Sequence, residues 1–208
     1  MSEGFSFACR AVFVDIMKKI LLVIDNCVWD KFYNCQLNLV EELPDTQFDV
    51  CMTKEVVEFE VEAINRNPEK KALYQYIQEQ IQKRSIKTDS YFGFACATSH
   101  QQHKPRVDGF GVGRFFDARD SPDFLEYQEK INKERVRPTS LYHNEADASL
   151  ALRSATGFVV LTAESKNKRG LLQEAYRAGK KVLFWDDYKC QEKCLMDFII
   201  SNCKDKEI

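Results

Sequence analysis

Apolar residues along this chain fall into two rhythms. In one, short apolar stretches are fenced by polar residues: "ILLVI" at 20–24, "FVVLT" at 158–162 and "KVLFW" at 181–185, with "QFDVCM" at 47–52 a short one interrupted by Asp49. Continuous runs of this length predict strands covered on both faces, as in a parallel sheet. In the other rhythm, apolar positions recur one helical turn apart. Val57, Val61 and Ile64 do so within "KEVVEFEVEAINRN", and Leu73, Ile77 and Ile81 within "PEKKALYQYIQEQIQKRS". These stretches predict amphipathic helices, the first capped by Thr53. Further helices are expected over "VWDKFYNCQLNLVEEL" (28–43), over 145–156 leading through Gly157, and over 170–178 ending at Gly179. Strands and helices alternate, so the expected class is α/β with a parallel sheet.

Between about residues 88 and 138 the regularity weakens. Gly93, Gly109, Gly111 and Gly113 punctuate aromatic-rich sequence around one expected helix, "SPDFLEYQEKINKER", opened by Ser121 and Pro122. This stretch reads as an insertion. A chain of 208 residues, 44% hydrophobic and 12% aromatic, suffices for one core, so a single domain over 1–208 is expected. Met17 directly precedes "KKILLVID", which makes residues 1–16 a candidate upstream extension; "AVFVDI" within it equally suits an extra strand.

Charge and cysteine usage narrow the setting. A net charge of −2 argues against a surface coated in cations for nucleic acid, while 30 Lys and Arg leave enough for a local patch. The eight cysteines are scattered with no CxxC pair, as expected of reduced thiols in a cytoplasmic protein. No apolar run approaches the ~20 residues that cross a bilayer, and the first residues lack a signal-peptide pattern, so neither membrane nor secretion is expected.

Candidate chemistry lies in the acids. Asp25 closes the first apolar run, at the strand end where open α/β sheets hold ligands; taken alone it reads first as a helix cap or the start of a loop, and only company from other carboxylates changes that. Glu60 lies among Val57, Val61 and Ile64, whereas Glu58 and Glu62 point elsewhere. Asp147 heads a helix whose Leu150 and Ser154 share its face, and Glu164 sits just past a strand end. Carboxylates gathered at one place raise one another's pKa, and a divalent cation removes that cost. Oxygen donors without His or Cys select Mg²⁺ or Mn²⁺, whose bound water can attack a phosphodiester.

The ordered motifs "LLVIDN", "TKEVVEFEVEAI" and "ADASLALRSATGFVVLTAESK" resemble the PIN domain: a strand ending in Asp, a V-x-x-E helix, a helix led by Asp, and a strand ending in T-x-D. The resemblance covers roughly 18–65 and 141–186. It implies a three-layer α/β/α fold with Asp25, Glu60, Asp147 and Glu164 as catalytic and metal-binding acids and Thr162 orienting the last of them. It also implies a Mg²⁺- or Mn²⁺-dependent ribonuclease. PIN domains include the toxins of toxin–antitoxin pairs, so an antitoxin or other regulatory protein and a homodimer are candidate partners; some PIN-like proteins instead bind RNA or proteins without cutting. The chain departs from the pattern twice: it reads Asp25-Asn26-Cys27 where the family usually has D-x-N, and Glu164 where Asp is usual.

Lys166, Lys168 and Arg169 follow Glu164 and are candidates for phosphate contacts. Arg106, Arg114 and Arg119 among Phe110, Phe115 and Phe116 suit stacking of unpaired bases, which favours single-stranded RNA. Three other readings are weaker. "KKILLVIDN" also suits a phosphoacceptor receiver domain, but only one acid follows the strand. "GFGVG" neither follows a strand nor opens a helix, as a dinucleotide site requires. Cys96, His100 and His103 have Zn²⁺-like spacing but no fourth ligand. Asp186 and Asp187, alternates to Glu164, read as a solvated strand end.

Overall fold

A computed structural model describes residues 19–91, 113–114, 122–136, 142–188 and 192–204. The chain opens with β1 (Ile20–Ile24), a 3₁₀ turn (Asn26–Val28), α1 (Trp29–Asn34), α2 (Leu39–Glu42) and β2 (Phe48–Thr53). A π-helical turn (Val56–Val61) runs into α3 (Glu62–Asn65), followed by α4 (Lys71–Arg84), β3 (Lys87–Tyr91), β4 (Gly113–Arg114) and α5 (Pro122–Glu129). Then come β5 (Asn132–Val136), β6 (Tyr142–His143), α6 (Glu145–Ala155), β7 (Val159–Thr162), α7 (Leu171–Arg177), β8 (Val182–Phe184) and α8 (Leu195–Lys204).

Six strands form one sheet in the order β4-β3-β2-β1-β7-β8, and every neighbouring pair is parallel. β5 and β6 form a separate antiparallel ribbon. From β1 the chain winds outward through β2, β3 and β4, then returns to the other side of β1 as β7. The β1/β7 junction is therefore the point where winding reverses, and crevices at the carboxyl ends of strands at such points are where open sheets bind ligands.

Side chains alternate across the sheet and divide the core in two. Leu22 and Ile24 of β1 join Trp29, Phe32, Leu39, Val56, Ile64, Ile77 and Phe198 in the layer of α1–α4 and α8. There Phe32 stands edge-on to Trp29, centroids 5.5 Å apart, and to Trp185 at 5.6 Å. Val23, Val160, Val182 and Phe184 face the other way, against α5, α6 and α7. The fold is thus three-layer α/β/α around a central parallel sheet. The alternation continues past the strand ends, so Asp25 and Thr162 face the α6 layer.

Four elements differ from the sequence expectation. The helix expected over 28–43 breaks at Gln36, whose φ is 51°, and restarts behind Asn38, whose side chain accepts from Val40 N–H. The helix after Thr53 begins as expected, with Val56 N–H donating to Thr53 Oγ1 at 3.2 Å. Its wide turn, however, buries Val56 and Val61, five residues apart, and leaves Val57 half-buried. β3 belongs to the main sheet, paired through Cys51↔Lys87 and Thr53↔Asp89, although its sequence stands at the start of the expected insertion. The helix expected over 121–135 stops at Glu129 and gives way to β5.

Candidate active site

Asp25 follows β1 directly, and its N–H donates to Leu161 O of β7 at 3.0 Å, extending the ladder by one bond. It occupies the N-cap position of the 3₁₀ turn, but its side chain makes no capping hydrogen bond. The carboxylate turns instead to the β7 side, where Oδ2 accepts from Thr162 Oγ1 at 2.7 Å and from Cys27 Sγ at 2.9 Å. Thr162 is fully buried, and its Oγ1 also accepts from Glu164 N–H at 3.1 Å. One hydroxyl thus ties the first acid to the backbone of the second. Cys27 occupies the Asn position of the D-x-N pattern; its sulfur accepts from Ala163 N–H at 3.1 Å, fastening the β1 and β7 ends together.

The electrostatics of this pair are unrelieved. Asp25 is 7% exposed. Burial pushes its carboxyl above the usual carboxylate range, the hydrogen bonds from Cys27 and Thr162 pull it back, and the nearby Glu164 charge adds to the rise. Burial, and then the Asp25 charge, push the Cys27 thiol far up, so it stays neutral and serves as a donor. Glu164 is half-buried, and its Oε2 accepts from Gln173 Nε2 at 3.1 Å. Among the described residues no Lys, Arg or His pairs with either acid.

The other predicted residues are placed variously. Asp147 lies half-buried in the first turn of α6. Two residues on, Ser149 meets Glu55 just past the end of β2, so Asp147 stands at the same sheet edge as Asp25 and Glu164. Glu60, half-buried, lines a shallow groove with Asn26, Ala63, Ile64, Asn67 and Lys70, beside Asp25 in sequence. Glu58 is exposed and pairs with Lys54. Lys166 turns away toward the last strand, its Nζ 2.9 Å from Asp187 Oδ2 and 4.7 Å from the Tyr176 ring centroid. Lys168 and Arg169 are exposed on the same loop and make no ion pair among the described residues. Asp186 and Asp187 are exposed in a 3₁₀ turn after β8, as a solvated strand end requires. Cys96, His100, His103, Arg106, Phe110, Phe115, Phe116 and Arg119 lie outside the described residues, and Arg114 ends β4.

A second buried cluster on the same face escaped sequence reading. Arg153 of α6 is wholly buried; its Nε donates to Asp89 Oδ2 at 2.9 Å and its Nη2 to Asp89 O at 2.8 Å. Nη1 donates to Ser149 O at 3.0 Å and to Ser149 Oγ at 2.5 Å, and Ser149 Oγ donates to Glu55 Oε2 at 3.2 Å. The chain of contacts pins α6 to the ends of β2 and β3. "SIKTDSY" has no apolar run to announce a strand, because its inward Asp89 is satisfied by Arg153.

The donor set suits a hard cation. Two acids tied through one hydroxyl, Asp25 by its carboxylate and Glu164 by its backbone N–H, suit Mg²⁺ or Mn²⁺, which bind through one or two carboxylates and keep several waters. Among the described residues, no three His, Cys, Asp or Glu side chains are spaced to hold one metal ion together. Asp25 and Glu164 are therefore the pair brought together, with Asp147 at the same edge and Glu60 across the groove at Asn26. The described cysteines Cys27, Cys35, Cys51, Cys194 and Cys203 are thiols. No helix among the described residues is long and apolar enough to cross a membrane. No protein-family model, curated protein or solved structure matches the chain.

Proposed function

We propose that this protein is a PIN-like endoribonuclease, dependent on Mg²⁺ or Mn²⁺ and acting on single-stranded RNA in the cytoplasm. The observation that carries this reading is the Asp25–Thr162–Glu164 arrangement, in which two acids meet at the reversal point of a parallel sheet with only neutral partners. A buried carboxylate without a cation is costly, and a site that keeps one, beside a second acid, suits a positive ligand. Thr162 fixes the Asp25 oxygen and the start of the Glu164 loop, so both acids are oriented before the ion arrives. A bound ion would supply an acidified water and neutralise charge on the phosphodiester. Asp147 and Glu60 would reach the centre from the two sides of the β1/β7 junction. Lys168 and Arg169, exposed and without an acid partner among the described residues, would meet phosphates flanking the scissile bond, whereas Lys166 is already paired with Asp187. Thiol cysteines suit a reducing compartment.

The test is Mn²⁺ calorimetry on the full chain, followed by cleavage of a single-stranded RNA by wild type and Asp25→Asn. Saturable Mn²⁺ binding with Asp25-dependent cleavage supports the reading. A second reading, a PIN-like module that binds RNA or a protein without cutting, draws on the lack of a three-carboxylate cluster among the described residues. It is favoured if RNA binds while Mn²⁺ does not.

A further inference from the structure

Gln173 of α7 is 1% exposed, yet it is neither apolar nor paired with a charge of opposite sign. Both hydrogens of its amide are engaged: Nε2 donates to Glu164 Oε2 at 3.1 Å and to Ser165 O at 3.0 Å. Its Oε1 is buried with no hydrogen-bond partner among the described residues. A buried amide that leaves its acceptor unsatisfied has its orientation set by what its donors hold, since the opposite orientation would turn Oε1 onto a carboxylate. The space it occupies is reserved by Gly170: a Cβ there would stand 2.6 Å from Gln173 Oε1 and 4.0 Å from Glu164 Oε2. Gly170 has an extended backbone, φ −175°, so room for the amide, and not backbone conformation, explains the glycine.

We propose that Gln173 is a positioning residue that sets the orientation of Glu164 for a divalent cation, with Gly170 keeping its place open; this rests on the nuclease reading above. A neutral amide suits the task. It fixes one carboxylate oxygen and the backbone of the following residue, yet leaves the negative charge of Glu164 for the ion. A Lys or Arg in its place would compete with the cation. The longer arm of Glu164, compared with the usual Asp, gives the acid an additional torsion, and the Gln173 bond is what restrains it.

The experiment measures Mn²⁺ dissociation constants by calorimetry and the electron paramagnetic resonance spectrum of bound Mn²⁺. It compares the wild-type full chain with Gln173→Met, Gly170→Ala, Glu164→Gln and the Gln173→Met/Glu164→Gln double variant; melting in chelator monitors the fold. Gln173→Met and Gly170→Ala should each weaken Mn²⁺ binding by about tenfold, as loss of a support to a ligand does. Gln173→Met should also change the spectrum while melting at or above the wild-type temperature. In the Glu164→Gln background, Gln173→Met should add little, because the group it positions is already altered. Wild-type affinity and spectrum in Gln173→Met overturn the proposal while leaving the nuclease reading standing, as does full additivity in the double variant. A wild type that binds no Mn²⁺ overturns both.

Discussion

Arg153 and Asp25 are both buried, both lie on the side of the sheet that α5–α7 cover, and both belong to polar clusters at the carboxyl edge of the sheet. Around Arg153 charge meets opposite charge: Asp89 takes two of its donors, and Ser149 relays a third contact to Glu55. Around Asp25 the donors among the described residues are neutral, the Thr162 hydroxyl, the Cys27 thiol and the Asn26 backbone, and the charge that acts on it is the like charge of Glu164. A matched cluster is complete as it stands and serves to fix α6 on β2 and β3. An unmatched one lowers stability unless something outside the chain supplies the missing charge, which is what distinguishes a binding site from a tie.

The largest effect is expected at the matched cluster. Arg153→Met should destabilise the protein by about 3–5 kcal/mol, because it breaks the buried ion pair with Asp89 from one side. A urea midpoint close to that of wild type would mean that the Arg153 cluster is no structural tie.

At the unmatched cluster the sign reverses. Asp25→Asn should weaken Mn²⁺ binding by at least about tenfold, some 1.4 kcal/mol, and abolish cleavage, while stability in chelator stays the same or rises. The gain depends on pH. The Asp25 carboxyl titrates above its ordinary value of 3.8 in the folded protein, so its stabilising contribution is complete below that value and disappears as pH rises through the raised one. Urea titrations should therefore show Asp25→Asn gaining on wild type as pH climbs out of the carboxylate range, then levelling off. A gain that shrinks as pH rises would contradict the assigned direction.

Thr162→Val, nearly isosteric and fully buried, should cost about 1–3 kcal/mol, since it removes the donor to Asp25 and the acceptor for Glu164 N–H. Mn²⁺ affinity should fall with it; a purely structural threonine would leave affinity unchanged in the folded fraction. The smallest change is expected from Glu164→Asp, which should retain Mn²⁺-dependent cleavage within about a few-fold, because water fills the gap left by a shorter ligand. Glu164→Gln should weaken binding more. Loss of cleavage in Asp186→Asn with no effect at Glu164 would move the fourth acid to the end of β8.

The contrast between the clusters also explains what could be read in the sequence. β1, β7 and β8 were legible because their sides are apolar throughout, and Asp25 and Glu164 because a carboxylate directly after such a run is conspicuous. β3 was hidden because its buried positions, Asp89 and Ser90, are polar, and the partner of Asp89, Arg153, lies 64 residues away in sequence. The facing of the helix after Thr53 was misjudged for a geometric reason. A 3.6-residue period selects Val57, but the wide turn selects Val56 and sets Glu55, the residue before it, against Ser149. Gln173 gave no signal, and Cys27 stood out only as a departure from D-x-N, since an amide or a thiol acquires its role only from the acid that the fold brings to it.

The aromatic pairing around Phe32 has an optical consequence. The chain contains two tryptophans, Trp29 and Trp185, and both lie in the layer of α1–α4 and α8. Intrinsic fluorescence therefore watches one side of the sheet and is blind to the side that carries Arg153 and Gln173. If emission and far-ultraviolet dichroism lose their signals at the same urea concentration, the two layers melt as one cooperative unit. If dichroism falls first while the indoles stay shielded, the α5–α7 layer can peel away alone, and the molecule has reported it without any added label.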